Sequence, residues 1–359
     1  MVYLPEFISF RFLAGLISII ACVGLLRLVH KRKIAGYEFL IWSGILCLIF
    51  VLSSFPEIIL TLSKYIKLSS TERYDRLFLV SFLFSFLTLS LVFYYRSKLD
   101  KLKQTFINSI QQPLVKKFVE NTYNLNSKIE VLILIPAFNE ETNLGKVLSR
   151  IPKKIYGFKS HVLVISDGST DLTSKVAKDF KAMLVEHPTN FGQCMAYRTG
   201  YLIATNLGAK FVIHLDADGQ YQPEEMELLF RPLVNDEADL VSGSRILGEY
   251  QQHFQKGHII RSIGLKFFNI VLTLLTGKKI TDSSSGFRAI KSSFLPMLTL
   301  KQDQFHSSEL LLESIKNGAR FKEVPITFLE RISGDSKKPN TLRYAFGFFR
   351  TILKTWTRK

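Results

Sequence analysis

The sequence predicts an α/β protein with a mostly parallel sheet, preceded by an all-α region of three membrane-spanning helices. Three observations carry this expectation. Long apolar runs dominate residues 1–104, short apolar runs alternate with polar helical stretches from residue 129 onward, and acid- and amide-rich motifs follow those short runs.

The long runs cover residues 12–29, 39–60 and 77–95, each near the roughly 20 residues a helix needs to cross a bilayer. The cations Arg27, Lys31, Arg32 and Lys33 follow the first run where a cleaved leader would carry small residues, so it reads as an anchor. A second basic group, Arg96, Lys98, Lys101 and Lys103, follows the third run. By the positive-inside rule both links, and everything downstream, lie in the cytoplasm. In the middle link Lys64, Lys67, Arg73 and Arg76 are offset by Glu72 and Asp75. Residues 105–128 read as a linker, residues 129–338 as the α/β domain and residues 339–359 as a tail.

A net charge of +17 calls for a polyanionic partner, and the spans favour the anionic face of a membrane over nucleic acid. Self-association is left open. The three cysteines form no disulfide framework, because Cys22 and Cys47 lie inside apolar runs and Cys194 stands alone.

Within the α/β domain, residues 131–135, 161–165, 183–185 and 211–215 are expected as strands with helices between them. Ligands of such sheets bind beyond the carboxyl ends of the strands. The polar motifs fall there: P-A-F-N-E-E at 136–141, S-D-G-S-T-D at 166–171 and D-A-D-G-Q at 216–220. Neither G-x-G-x-x-G after the first strand nor G-x-x-x-x-G-K-[ST] is present, which excludes the common dinucleotide and P-loop phosphate sites. A ligand diphosphate must then be met by a metal and cationic side chains. Asp216 and Asp218 flank one small residue, and Gln220 adds an oxygen two residues on; such oxygen donors suit Mg2+ or Mn2+ shared with a substrate phosphate.

Seven motifs in this order resemble the inverting family 2 glycosyltransferases of GT-A fold, within the dolichyl-phosphate mannose synthase and polyprenyl-phosphate glucosyltransferase branch. Besides the three above they are S-G-S-R at 242–245, D-S-S-S-G-F-R at 282–288, E-V-P-I at 323–326 and R-I-S-G-D-S-K at 331–337. The resemblance implies a Rossmann-like GT-A domain. It implies that Pro136, Phe138, Glu140, Asp167 and Ala217 hold the donor nucleotide, a GDP- or UDP-sugar. It assigns Asp216, Asp218 and Gln220 to the metal, and Arg245, Arg331 and Lys337 to the donor diphosphate and acceptor phosphate, with Ser336 and Arg261 also at the acceptor. Two departures stand out. Ser166 replaces a second aspartate, and N-F-G-Q-C-M-A at 190–196 replaces a glycine- and lysine-bearing loop.

A polyprenyl phosphate suits such a site on chemical grounds. A hydroxyl acceptor must lose its proton as it attacks, whereas a phosphate monoester with a second pKa of about 6 is already largely dianionic at neutral pH. It needs cations to position it and no general base.

Residues 259–276 are apolar but interrupted by Arg261, Lys266 and Asn269, and are expected to lie in the membrane interface; a crossing there would separate the motifs at 282–288 and 331–337 from Asp216. The tail is expected to be a basic amphipathic helix, with Arg343, Arg350, Lys354 and Arg358 on one face and Tyr344, Phe348, Phe349, Ile352 and Trp356 on the other. A processive polysaccharide synthase would carry Q-x-x-R-W and further spans, yet the tryptophans are Trp42 and Trp356. Transfer to a glycan and a non-catalytic membrane scaffold are the remaining alternatives; the intact aspartates weigh against the scaffold.

Overall fold

The computed structural model describes residues 43–44, 72–122, 129–250, 258–330 and 342–358. The chain divides into two compact units, Met1–Ile107 with Thr357–Lys359, and Asn108–Trp356. Apart from Ser43 and Gly44, the first two apolar runs lie outside the described residues; the third falls in helix α1 (Glu72–Thr122). Among the described residues no helix is long and apolar enough to cross a membrane.

Through the first part of the expected linker, helix α1 continues without a break to Thr122. Gln111, Val115, Phe118 and Thr122 recur at three- and four-residue intervals, which makes one helical face, and that face is turned into the core of the second unit.

The elements that follow are β1 (Val131–Ala137), α2 (Glu141–Arg150), β2 (Lys154–Ile155), β3 (Phe158–Asp167), α3 (Thr173–Asp179), β4 (Met183–His187), α4 (Gln193–Asn206) and β5 (Phe211–His214). Then come α5 (Met226–Val234), β6 (Leu240–Tyr250), α6 (His258–Thr276), β7 (Arg288–Lys291), α7 (His306–Lys316), β8 (Phe321–Phe328) and α8 (Leu342–Trp356). The four strands expected from the sequence are β1, β3, β4 and β5. Sheet order is β2-β3-β1-β5-β7-β6-β8, with β4 beside β3. The pairs β1·β3, β1·β5, β3·β4 and β6·β8 are parallel, whereas β7 runs antiparallel to both β5 and β6.

Every residue of β1 is buried, as a central strand covered on both faces must be. Alternate residues feed two cores. Leu132 and Leu134 join a cluster with α4, α6, α7, α8 and the end of α1; Val131, Ile133 and Ile135 join one with α2, α3 and α5. The sheet is therefore the middle of three layers. Helix α4 lies close upon it because Gly200 has no side chain: a β-carbon there would come within 2.3 Å of Leu134 Cδ2.

Strand β6 was not legible as a strand because Gly243 and Gly248 interrupt its apolar character. Both glycines are required by packing, since a β-carbon on Gly243 would come within 2.7 Å of the Ile326 side chain and one on Gly248 within 2.2 Å of the Ile326 carbonyl oxygen.

The tail helix α8 corrects the expected two-faced pattern. Phe348 and Ile352 are buried in the core, with the Phe348 ring 4.5 Å from that of Phe268 on α6. The exposed apolar stripe is instead Phe349, Leu353 and Trp356, and α6 exposes a similar stripe of Phe267, Ile270 and Leu274.

Candidate active site

The chain leaves β1 through a left-handed turn at Asn139, with φ of 51°, a conformation that asparagine tolerates better than most residues. There the loop after β1 is stitched to the loop after β3. Asn139 N donates to Ser169 Oγ at 3.2 Å, Thr170 N to Asn139 Oδ1 at 2.9 Å, Glu141 N to Asp171 Oδ2 at 3.1 Å and Leu172 N to Glu141 Oε2 at 2.8 Å. Burial pushes the Asp171 carboxyl up, but hydrogen bonds from Thr173 and the Glu141 amide outweigh it and hold the group below its ordinary range.

Of the expected nucleotide-binding residues, Pro136 is buried as part of β1 and Phe138 stands half-buried at the loop. Glu140 faces inward: its amide donates to Thr173 Oγ1 at 2.8 Å, its carbonyl accepts the first amides of α2, and Oε2 accepts Asn143 Nδ2 at 2.7 Å. Its backbone thus begins α2, and its Oε2 is engaged by Asn143.

Asp167 is also turned to its own fold. Buried to 3% exposure, it accepts His187 Nδ1 at 2.7 Å and the Phe191 amide at 3.0 Å on Oδ1, and the Gly192 amide at 2.7 Å on Oδ2. A carboxylate accepts only, so the facing Nδ1 carries the proton. The residue expected to hold a nucleoside thus holds the 190–193 loop. Gly168 completes the junction: its φ is +70°, and a β-carbon would come within 2.3 Å of the Thr189 carbonyl carbon.

The 216–220 loop follows β5. Gln193 Nε2 and Tyr197 Oη, one turn apart on α4, donate to Asp216 Oδ1 at 3.0 and 3.3 Å. Asp216 Oδ2 faces Gly286, where a β-carbon would come within 2.9 Å, so the D-S-S-S-G-F-R motif closes directly over the D-A-D motif. Asp218 Oδ1 accepts the Gln220 amide at 3.2 Å. Ala217 between them is buried.

This arrangement fits a hard divalent cation. Two carboxylates share a tight loop at a strand end, one oxygen of Asp216 is fixed by neutral donors, and glycine keeps space beside the other. Among the described residues no group of three His, Cys, Asp or Glu gathers to hold a metal. Gln220, the third residue expected at the metal, is placed by its amide nitrogen and backbone. Its Nε2 donates to Leu329 O at 3.2 Å and its carbonyl accepts Leu329 N at 2.9 Å, which ties the loop to the chain leaving β8.

Behind Asp216 lies a buried aromatic cluster. Tyr197 stacks on His306 at 4.3 Å, and Tyr201 Oη meets His306 Nε2 at 2.7 Å and His214 Nε2 at 3.0 Å. Burial pushes His214 down to about 3 and lowers His306 well below the ordinary histidine range, so both are neutral. Burial likewise pushes the Cys194 thiol up to about 12, which makes it a packed side chain and no nucleophile.

Arg245 is built into the wall. Its Nε and Nη2 grip Asp282 Oδ2 and Oδ1 at 2.6 and 2.7 Å, Nη2 also donates to Ser284 Oγ at 2.6 Å, and the guanidinium lies 5.1 Å from the Phe328 ring. Asp282 is set in turn by Glu323 of E-V-P-I, which accepts the Thr281 and Asp282 amides at 2.8 and 2.9 Å. The guanidinium expected at the donor diphosphate is thus paired with Asp282 within the protein. Arg331, Ser336 and Lys337 lie outside the described residues, and for Arg261 only the backbone, within α6, is described.

Sequence reasoning did not assign roles to Gln193, Tyr197, Asp282, Glu323 and Gly286. The last three sit in quoted motifs; the i, i+4 spacing of Gln193 and Tyr197 on one helix was the signal for the others.

The model of glycosyl transferase family 2 matches residues 132–296. A UDP-N-acetylglucosamine–dolichyl-phosphate N-acetylglucosaminyltransferase of Methanococcus voltae is 30% identical over 216 residues, covering 55% of this chain and 84% of the relative. An undecaprenyl-phosphate mannosyltransferase of Micrococcus luteus is 31% identical over 222 residues, covering 58% and 87%. Among solved structures, glucosyl-3-phosphoglycerate synthase of Mycobacterium tuberculosis, in complex with Mn2+ and UDP-glucose, superposes with a TM-score of 0.50 at 17% identity, over 67% of this chain and 82% of that one. That likeness establishes the fold alone. With a fold of this kind, these motifs in order and relatives matched over most of their length, the chain belongs to glycosyl transferase family 2 and is a glycosyltransferase of GT-A fold.

Proposed function

We propose that the chain transfers a sugar, with inversion, from a GDP- or UDP-sugar to a polyprenyl phosphate at the cytoplasmic face of a membrane, using Mg2+ or Mn2+ held by Asp216 and Asp218. The observation that carries this reading is the meeting of three loops at Asp216: the 190–193 loop through Gln193, the 282–286 loop through Gly286, and the chain leaving β8, which is tied to Gln220 two residues before Arg331. Two of these loops meet at the Asp216 carboxylate itself, and the third is tied to the same 216–220 loop through Gln220.

An acceptor phosphate oxygen attacks the anomeric carbon as the bond to the nucleoside diphosphate breaks, from the opposite face. A bound divalent ion supplies the charge that stabilises the departing diphosphate. Asp216 and Asp218 hold it, Gln193 and Tyr197 orient Asp216, and Arg331, Ser336 and Lys337 position the acceptor dianion, with Arg261 beside it. The dianion needs no base. The names of the relatives, which differ in sugar but share a polyprenyl phosphate, support the acceptor over the particular donor.

The apolar stripes of α6 and α8, the apolar runs before residue 104 and the charge of +17 support attachment to an anionic membrane surface, with spans at 12–29 and 39–60. In the test, full-length protein receives labelled nucleotide-sugars with Mn2+ and either polyprenyl phosphate or the free alcohol. Label should enter the organic phase as an acid-labile phosphate ester with the phosphorylated lipid only, and Asp218→Asn should abolish it. Label that moves equally to the alcohol, or stays aqueous with every donor, refutes the acceptor.

A further inference from the structure

We infer that Gln111, on helix α1 and outside the residues the family model matches, is a positioning residue for the loop that carries Gln193 to Asp216. A continuous buried series joins them. Gln111 Nε2 donates to Thr199 Oγ1 at 3.0 Å; Thr199 meets His187 Nε2 at 2.9 Å; His187 Nδ1 donates to Asp167 Oδ1 at 2.7 Å; and Asp167 accepts the amides of Phe191 and Gly192. The next residue, Gln193, donates to Asp216 Oδ1 at 3.0 Å. Gln111 is 5% exposed, Thr199 0%, His187 5% and Asp167 3%, so water cannot replace a lost member.

Hydrogen-bond accounting shows why the first link matters. With Nδ1 of His187 protonated toward Asp167, Nε2 accepts, so Thr199 Oγ1 directs its one proton to His187 Nε2, with Met195 O as a second acceptor at 3.1 Å, and receives Gln111 Nε2 on a lone pair. A glutamine amide buried at an otherwise apolar helix face destabilises the fold unless it is paired, and here its partner is the hydroxyl that steadies the imidazole. Without Gln111, one side of that hydroxyl is unmet and the imidazole loses a fixed neighbour. The displacement then reaches the two amides that Asp167 holds. Helix α1 thus takes part in setting the loop, although the GT-A motifs all lie downstream.

The inference rests on the proposed function only in treating Asp216 as a metal-binding carboxylate, so the experiment has two readouts. The full chain carries Gln111→Leu, Gln111→Met, Thr199→Val or Gln111→Leu with Thr199→Val. Amide exchange is followed by mass spectrometry, and binding of UDP or GDP with Mn2+ by calorimetry. In either Gln111 variant, peptides spanning 190–193 should exchange about tenfold faster while β1 and β5 keep their protection, and the double variant should add little to the single ones. Nucleotide affinity with Mn2+ should fall severalfold. Unchanged exchange at 190–193 in both Gln111 variants, with Thr199→Val opening that loop, overturns the inference. Faster exchange in a protein that binds neither nucleotide, even unmutated, supports the positioning role and counts against the proposed function instead.

Discussion

Gly286 lies against the Asp216 carboxylate so closely that a β-carbon on it would come within 2.9 Å of Oδ2. Asp216 cannot simply turn away, because Gln193 and Tyr197 hold its other oxygen. Gly286→Ala is therefore expected to displace the carboxylate and weaken Mn2+-dependent nucleotide binding by about tenfold or more, equivalent to ~1.4 kcal/mol. Calorimetric titration measures it. Affinity equal to that of the unmutated protein would show that Asp216 takes no part in binding the metal.

The Arg245–Asp282 pair is buried, so removing one partner strands the other. Asp282→Ala should cost about 3–5 kcal/mol in urea unfolding, and adding Arg245→Met should recover part of it, because one of the two buried cations that Asp282 faces is then gone while Arg288 remains. Burial pushes the Asp282 carboxyl up, but Arg245 outweighs it and holds the group below its ordinary 3.8. Its contribution is accordingly present above pH 3.8 and lost as pH falls further. A double variant as unstable as Asp282→Ala alone would contradict this account.

His306 is buried and neutral, its affinity for a proton lowered first by burial and then by His214, Arg288 and Arg198. The unfolded chain binds that proton below about pH 6.5 and the folded chain does not, so stability is complete above 6.5 and declines as pH falls, by about 1.4 kcal/mol per pH unit. His306→Phe retains a ring against Tyr197 and removes the titration. Its melting temperature should vary less between pH 7 and 5. Equal slopes would place the acid sensitivity elsewhere.

Truncation separates the two parts of α1. A chain beginning at residue 105 keeps Gln111 and Val115 and should retain nucleotide binding; a chain beginning at residue 123 exposes their partners and should melt well below it, since losing Val115 alone uncovers core at roughly 1.5–3 kcal/mol. Equal melting temperatures would show that residues 108–122 contribute no core.

The parallel half of the sheet was legible because its strands are apolar runs ending in polar motifs, whereas the closing of Gly286 on Asp216 and of Glu323 on the 281–282 amides came only with the fold. What sequence could not show is the direction in which a polar residue is used. Asp167 and Glu140 sit at the expected loops, yet their carboxylates bond to the backbone and side chains that shape those loops. Arg245 likewise has the chemistry of a phosphate ligand but meets Asp282, a pairing across 37 residues that only the fold creates. The helical face within residues 105–122 was not legible for a simpler reason: Gln111 and Lys116 break the apolar pattern, and the burial of Gln111 depends on Thr199, far along the chain.

The reversed strand β7 has a consequence for how relatives of this chain can diverge. Because His214 pairs with Arg288, the loop that reaches Asp216 precedes its strand, while β6 is anchored to the same strand by the Leu240–Ile290 pair. Everything between β6 and that loop, including α6, is an excursion whose two ends are clamped to one strand. Its length and surface can be exchanged without moving the aspartates. Divergence by insertion is therefore open there, whereas the 282–286 loop, between α6 and β7, is pinned where Gly286 meets Asp216.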